Sequence, residues 1–104
     1  MREEGVPDEA AAWEALRTVI DPEIGENLVD LGLVYRVECA PGRVDVDLTM
    51  TTPACPAAGS IADEATHAIR SACPDAQEVN VAVVYDPPWT PERMSEHVRL
   101  RFGW

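Results

Sequence analysis

Across residues 33–50 apolar and polar side chains alternate with a period of two, and the alternation is interrupted once, at Ala40-Pro41-Gly42. Successive strand residues point to opposite faces, so Leu33, Tyr35, Val37 and Cys39 mark one side of a half-buried strand. Val44, Val46, Leu48 and Met50 mark the same side of a second, opposite Asp45, Asp47 and Thr49. The Pro-Gly step between them is a turn signal, and the pair is predicted to form an antiparallel hairpin. A hairpin with one apolar side needs a second layer to cover it.

The flanking segments supply that layer. Pro7-Asp8-Glu9 reads as a first helical turn, with proline at the first position and acids near the positive end of the helix dipole. Ala12, Trp13, Leu16, Val19 and Ile20 then share one helical face, and the helix should stop by Asp21 because Pro22 disfavours the α region before it. Residues 22–32 read as a loop. Thr51-Thr52-Pro53-Ala54-Cys55-Pro56 is a turn. After it, Ala58, Ile61, Ala62, Ala65, Ala68, Ile69 and Ala72 mark one face of a helix of about four turns. Asp63, Glu64, His67, Arg70 and Ser71 form its wet face.

Val79, Val81, Val83 and Tyr85 make a third strand, whose other side (Asn80, Ala82, Val84) fits a central strand or one covered by a partner. Thr90 is placed to cap a short helix starting at Pro91, with Met94 and Val98 facing inward. The order helix, hairpin, helix, strand, helix predicts an α/β two-layer sandwich formed as one domain over residues 1–104. Its small mixed sheet would contain the hairpin and a β-α-β crossover, with the helices mainly on one face. The other face leaves room for a homodimer.

The formal net charge of −11 arises from 19 acidic and 8 basic residues, and every basic residue is Arg. Such a chain is repelled by nucleic-acid phosphates and anionic membranes, so neither is an expected partner. The acidity is compatible with a salt-rich cytoplasm or with a high-GC genome that replaces Lys by Arg. The N-terminus is acidic where a signal peptide would be basic and then apolar, and the longest aliphatic run is residues 81–84, so a cytoplasmic location is expected. Cys39, Cys55 and Cys73 are odd in number, widely spaced and without a CxxC pair, which argues against a disulfide framework or a zinc ribbon.

Cys55 is the candidate functional residue. If Pro56 opens the helix, Cys55 is its N-cap, where free N–H groups and the dipole favour a thiolate. The hydroxyls of Thr51 and Thr52 are near enough in sequence to hydrogen-bond a thiolate, a sulfide or a carboxylate across the turn. Cys39 continues an apolar strand face and Cys73 ends a helix before Pro74, and neither site offers groups that stabilise a thiolate. His67 and His97 read as solvated residues, and Trp13, Trp89 and Trp104 as core or interface anchors.

Four segments taken together carry a resemblance: Asp21-Pro22-Glu23-Ile24, Val29-Asp30-Leu31-Gly32-Leu33-Val34, Leu48-Thr49-Met50-Thr51-Thr52-Pro53-Ala54-Cys55-Pro56 and Asp86-Pro87-Pro88-Trp89-Thr90-Pro91. In this order and at these separations they resemble the SufT-like family of iron–sulfur assembly proteins. The resemblance implies an accessory factor rather than an enzyme, and a family cysteine at Cys55 acting as a metal ligand. It also implies Asp21, Glu23, Thr51 and Thr52 as the wall of the same site, and the iron–sulfur assembly machinery and client apoproteins as partners. Asp21 and Glu23 also admit a purely local role, capping a turn opened by Pro22.

One cysteine cannot supply the four thiolates that usually hold a cluster. The implied cargo is therefore a transient iron–sulfur cluster or iron, with further ligands from a second subunit, small thiols, carboxylates or a client. Members related to the PaaD accessory protein of the phenylacetyl-coenzyme A oxygenase system share the Pro-Pro-Trp-Thr signature and give the alternative reading. The absence here of a cysteine-rich extension and the short Thr52-to-Pro56 spacing count against it. An interaction-only adaptor and a thiol-dependent enzyme are the remaining readings.

Overall fold

The computed structural model describes residues 6–51 and 56–103. Its elements are α1 (Glu9–Leu16), β1 (Val34–Ala40), β2 (Arg43–Leu48), α2 (Ala58–Ala72), β3 (Glu78–Val83), a 3₁₀ turn (Pro91–Arg93) and α3 (Glu96–Phe102). The hairpin forms with Ala40 opposite Arg43, so only Pro41 and Gly42 turn the chain. Gly42 has φ 70°, the positive value required after a proline in a type II turn. Its carbonyl also accepts the N–H groups of Gln77 and Glu78 at 2.8 and 3.0 Å, which starts β3 alongside β2.

The sheet order is β1-β2-β3, with β1 and β2 antiparallel and β2 and β3 parallel across the α2 crossover. The expected small mixed α/β sheet is therefore present. β3 is an edge strand, not a central one, and β2 holds the centre because its Val44, Val46 and Leu48 are buried against the helices. Ile61, Ala65 and Ile69 of α2 and Ala12, Ala15 and Leu16 of α1 cover that side. Leu28, Leu31 and Leu33, from the segment between α1 and β1, complete the core together with Met94 and Val98.

The opposite sheet face is laced by polar pairs. Arg36 meets Asp47 at 3.0 Å and Glu38 at 2.6 Å, and Arg43 meets Asp45 at 2.9 Å. Asn80 Nδ2 donates to Asp45 at 2.9 Å, and this bond, with help from Arg43, holds the Asp45 carboxyl below the usual carboxylate range. These exposed pairs contribute little each, but they line the outer face of the sheet with charge.

All three helix starts differ from the sequence expectation, and the helix expected at Pro91 is only a 3₁₀ turn there, with α3 starting at Glu96 after Ser95. Asp8, not Pro7, begins α1: its Oδ1 accepts the Ala10 N–H at 3.0 Å, leaving Pro7 before the cap. The same helix ends at Leu16 rather than near Asp21, because Thr18 and Val19 donate their N–H groups to carbonyls three residues back and Thr18 Oγ1 takes the Ala15 carbonyl at 2.6 Å. Val19 is still buried, but Ile20 is 46% exposed and bridges to Asn27 instead of lying on a helix face. Pro56 and Ala57 form a turn, and α2 begins at Ala58 with Ala57 as its N-cap. The expected N-cap position of Cys55 is corrected accordingly: the cap comes two residues later, where the Ala57 carbonyl accepts from Ile61 at 2.8 Å.

Candidate functional site

Asp21 is 1% exposed, unusual for a carboxylate. Its Oδ1 accepts the Glu23 N–H at 2.8 Å across Pro22, an Asx-type turn. Its backbone closes the same bend: the Asp21 N–H donates to the Glu26 carbonyl at 2.9 Å, and its carbonyl accepts from Ile24 and Gly25 at 3.2 and 2.7 Å. The structure thus brings Asp21 and Glu23 together and gives Asp21 the local turn-forming role. The Glu23 side chain is exposed.

Thr51 sits where the chain leaves β2. It lines a small cleft with Thr49, Met50, Tyr85, Pro88 and Trp89. Segment 85–89 reaches this place as a strap over the end of the sheet. Tyr35 Oη donates to the Pro87 carbonyl at 2.7 Å, Trp89 Nε1–H donates to the Leu31 carbonyl at 2.8 Å, and the Arg93 guanidinium lies 4.5 Å over the Tyr35 ring. Thr52 and Cys55 lie outside the described residues, so the structure positions only their flanks: Thr51 at the cleft and Ala57 at the start of α2.

The two described cysteines are poor nucleophiles. Burial pushes the Cys39 thiol up, reinforced by Cys73, Glu9 and Asp8, and burial with Asp8 and Asp75 does the same for Cys73. Both are free and remain thiols near neutral pH. His67 is exposed and lines an open groove with Thr18, Val19, Asp63, Glu64 and Ala68.

Two features escaped the sequence reading. Glu26, Asp30 and His97 offer ligand atoms within 4.8 Å of one another, but Arg101 pairs with Glu26 at 2.6 Å, and Asn27 and Arg17 reach Asp30 at 2.7 and 3.4 Å. Guanidinium groups already neutralise that cluster, which ties α3 to the turn before β1. The second feature is Thr49, read from its alternation as an outward residue yet only 1% exposed. The Pro-Pro-Trp run was the available signal, since a stiff aromatic segment must cover something.

A three-stranded mixed sheet with helices packed on one face defines a small α/β domain. Residues 9–83 match the family model described as iron-sulfur cluster assembly protein, and the chain belongs to that family. The Fe-S protein maturation auxiliary factor YitW of Bacillus subtilis is 38% identical, over 86% of this chain and 87% of its own length. The corresponding factor SufT of Staphylococcus aureus is 38% identical over 82% of this chain and 97% of its own. Among solved structures, a domain of unknown function from Bacillus anthracis superposes with a TM-score of 0.86 at 38% identity over 91% of each chain. A conserved hypothetical protein from Thermotoga maritima gives 0.82 at 42% identity over 100% of each. Among the described residues, no helix is long and apolar enough to cross a membrane.

Proposed function

We propose that this protein is an accessory factor that assembles iron–sulfur clusters or delivers them to client apoproteins, with Cys55 as the thiol that contacts iron. The observation that carries the reading is the family match over residues 9–83, together with relatives named as Fe-S protein maturation auxiliary factors that align along most of both chains. A further relative, an iron-sulfur cluster carrier protein of Synechocystis, is 36% identical over 75% of this chain and 22% of its own length.

The choice of Cys55 rests on elimination and position. Cys39 and Cys73 are held as thiols, whereas Cys55 precedes α2 in sequence by only a few residues, and the free N–H groups of a helix start favour an anion. A single soft ligand suits a cluster handed on rather than stored. Asp21 and Glu23 serve here as a rigid acidic bend, and the cluster machinery and client apoproteins are the partners. The protein acts in the cytoplasm.

Activities of iron–sulfur enzymes compared in cells with the gene, without it, and complemented by Cys55→Ser test this directly. Loss on deletion, restored by the native chain but not by Cys55→Ser, is expected. Unchanged enzyme activities on deletion overturn the role, and full rescue by Cys55→Ser overturns the ligand.

A further inference from the structure

We propose that the cleft beneath strap 85–89 binds a short, uncharged group ending in a hydroxyl or thiol. This goes beyond the assembly role and stands on the cleft alone. Alternation along β2 turns Val44, Val46 and Leu48 toward the helices and Asp45 and Asp47 the other way, and Thr49, one residue past the strand, lies beneath the strap. Thr49 is 1% exposed, and its Oγ1 has no hydrogen-bond partner among the described residues. Buried hydroxyls almost always have one, supplied by protein, water or ligand. Here the adjoining space is the cleft lined by Thr49, Met50, Thr51, Tyr85, Pro88 and Trp89.

The cleft is preformed, because the Tyr35 and Trp89 hydrogen bonds fix the strap at two points. Its volume is ≈ 70 Å³. A dry cavity of about 150 Å³ takes benzene, so this one suits roughly three heavy atoms. Among the described residues, no lining side chain is charged. A carboxylate or ammonium group would lose its hydration without gaining a counter-charge, so the lining selects a neutral group. The Thr49 hydroxyl both donates and accepts, which a hydroxyl or thiol tip can answer. The Tyr85 and Trp89 rings and the Met50 thioether suit an apolar body, and a sulfur-bearing one in particular. A serine, threonine or cysteine side chain of a polypeptide, or a free small alcohol or thiol, carries this chemistry.

The test is nuclear magnetic resonance titration of the full chain with 1-propanol and 2-mercaptoethanol, with acetate and ethylammonium as charged controls. Saturable shifts of the Thr49 and Thr51 amides and the Trp89 indole are expected from the neutral probes alone. Intermolecular Overhauser effects to the Thr49 methyl should accompany them in the unmodified protein. Thr49→Val should weaken binding at least tenfold, while Thr49→Ser retains it. Tighter binding of the blocked amides of N-acetylserine or N-acetylcysteine than of the free probes assigns the site to a polypeptide side chain. The reverse order assigns it to a small molecule. Absence of saturable shifts with every neutral probe means that ordered water alone fills the cleft, and that result overturns the proposal. So does equal binding by Thr49→Val. None of these readouts depends on iron–sulfur activity, so the cleft and the role of Cys55 stand or fall separately.

Discussion

The indole N–H of Trp89 donates to the backbone carbonyl of Leu31 at 2.8 Å, joining positions 58 residues apart in sequence. That bond fastens the strap to the segment that supplies Leu28 and Leu31 to the core, so the cleft under the strap and that core segment belong to one packed unit. Trp89→Phe keeps an aromatic ring over the cleft but leaves the Leu31 carbonyl without this donor. The expected cost is about 1–2 kcal/mol, the scale of a lost buried hydrogen bond. Urea unfolding would measure it, and an unchanged midpoint would show the bond to be dispensable.

Gly32 has φ 74°, and a Cβ built there would meet the backbone carbonyl of Arg93. Gly25 has φ 82°, but a Cβ added there would meet nothing within 4 Å. Both alanine variants incur the left-handed penalty of about 1–2 kcal/mol, and only Gly32→Ala must also push the 3₁₀ turn away. Gly32→Ala is expected to destabilise clearly more than Gly25→Ala in paired denaturation curves. Equal losses would mean that residues 91–93 yield at no cost.

Asp21→Asn preserves an oxygen that can accept the Glu23 N–H, whereas Asp21→Ala removes that acceptor. The alanine variant should therefore lose about 1–3 kcal/mol and the asparagine variant much less. Maturation of client enzymes separates structure from chemistry here: a stable Asp21→Asn chain with impaired maturation would assign the carboxylate a direct part. Full activity would confine Asp21 to its bend.

Cys39 and Cys73 have folded-state pKa values raised above the ordinary thiol value. A raised pKa means that the unfolded chain ionises first as pH rises. The stability the neutral thiols contribute is thus complete below the unfolded thiol pKa and is lost as pH climbs through the folded values. Melting curves from neutral to strongly alkaline pH should fall over that window, and a Cys39→Ala, Cys73→Ala double variant should fall less. Iodoacetamide at neutral pH should label Cys55 first, with mass mapping to assign the sites. Faster labelling of Cys39 or Cys73 would contradict the burial argument.

The hairpin, the crossover helix and the third strand were legible because each carries a strong local period, with Pro41-Gly42 marking the one tight turn. Where local signals competed, the reading slipped. Asp8 outcompeted Pro7 as the start of α1, and the Thr18 hydroxyl bond ended that helix early. Thr49 and Asp45 have the same strand parity, yet only Thr49 lies under a strap arriving from 36 or more positions later. No periodicity reports such a long-range cover. Asp21 was recognisable as a site candidate, but its burial depends on how Asp21, Ile24, Gly25 and Glu26 fold on themselves.

Any cluster bound through Cys55 should be labile and shared between two chains or between this chain and a client. The 15 residues of α2 span about 22 Å at 1.5 Å per residue, and Cys73 lies at the far end of that helix from the turn. Cys55 precedes Ala58 by three residues, which reach at most about 11 Å, so chain length alone keeps its backbone at least about 11 Å from that of Cys73. Metal–thiolate bonds are only about 2.3 Å long. Cys39 pairs with Val44, which pairs with Val79 at the start of β3, so it lies at the end of the sheet that the C-terminus of α2 leads into. Intramolecular ligands from the other two cysteines are thus out of reach of one metal ion at Cys55. Anaerobic reconstitution followed by native mass spectrometry should find cluster only on species larger than one chain, with loss of cluster in Cys55→Ser. A stable cluster on a monomer that survives Cys55→Ser would overturn both the ligand and the transfer mechanism.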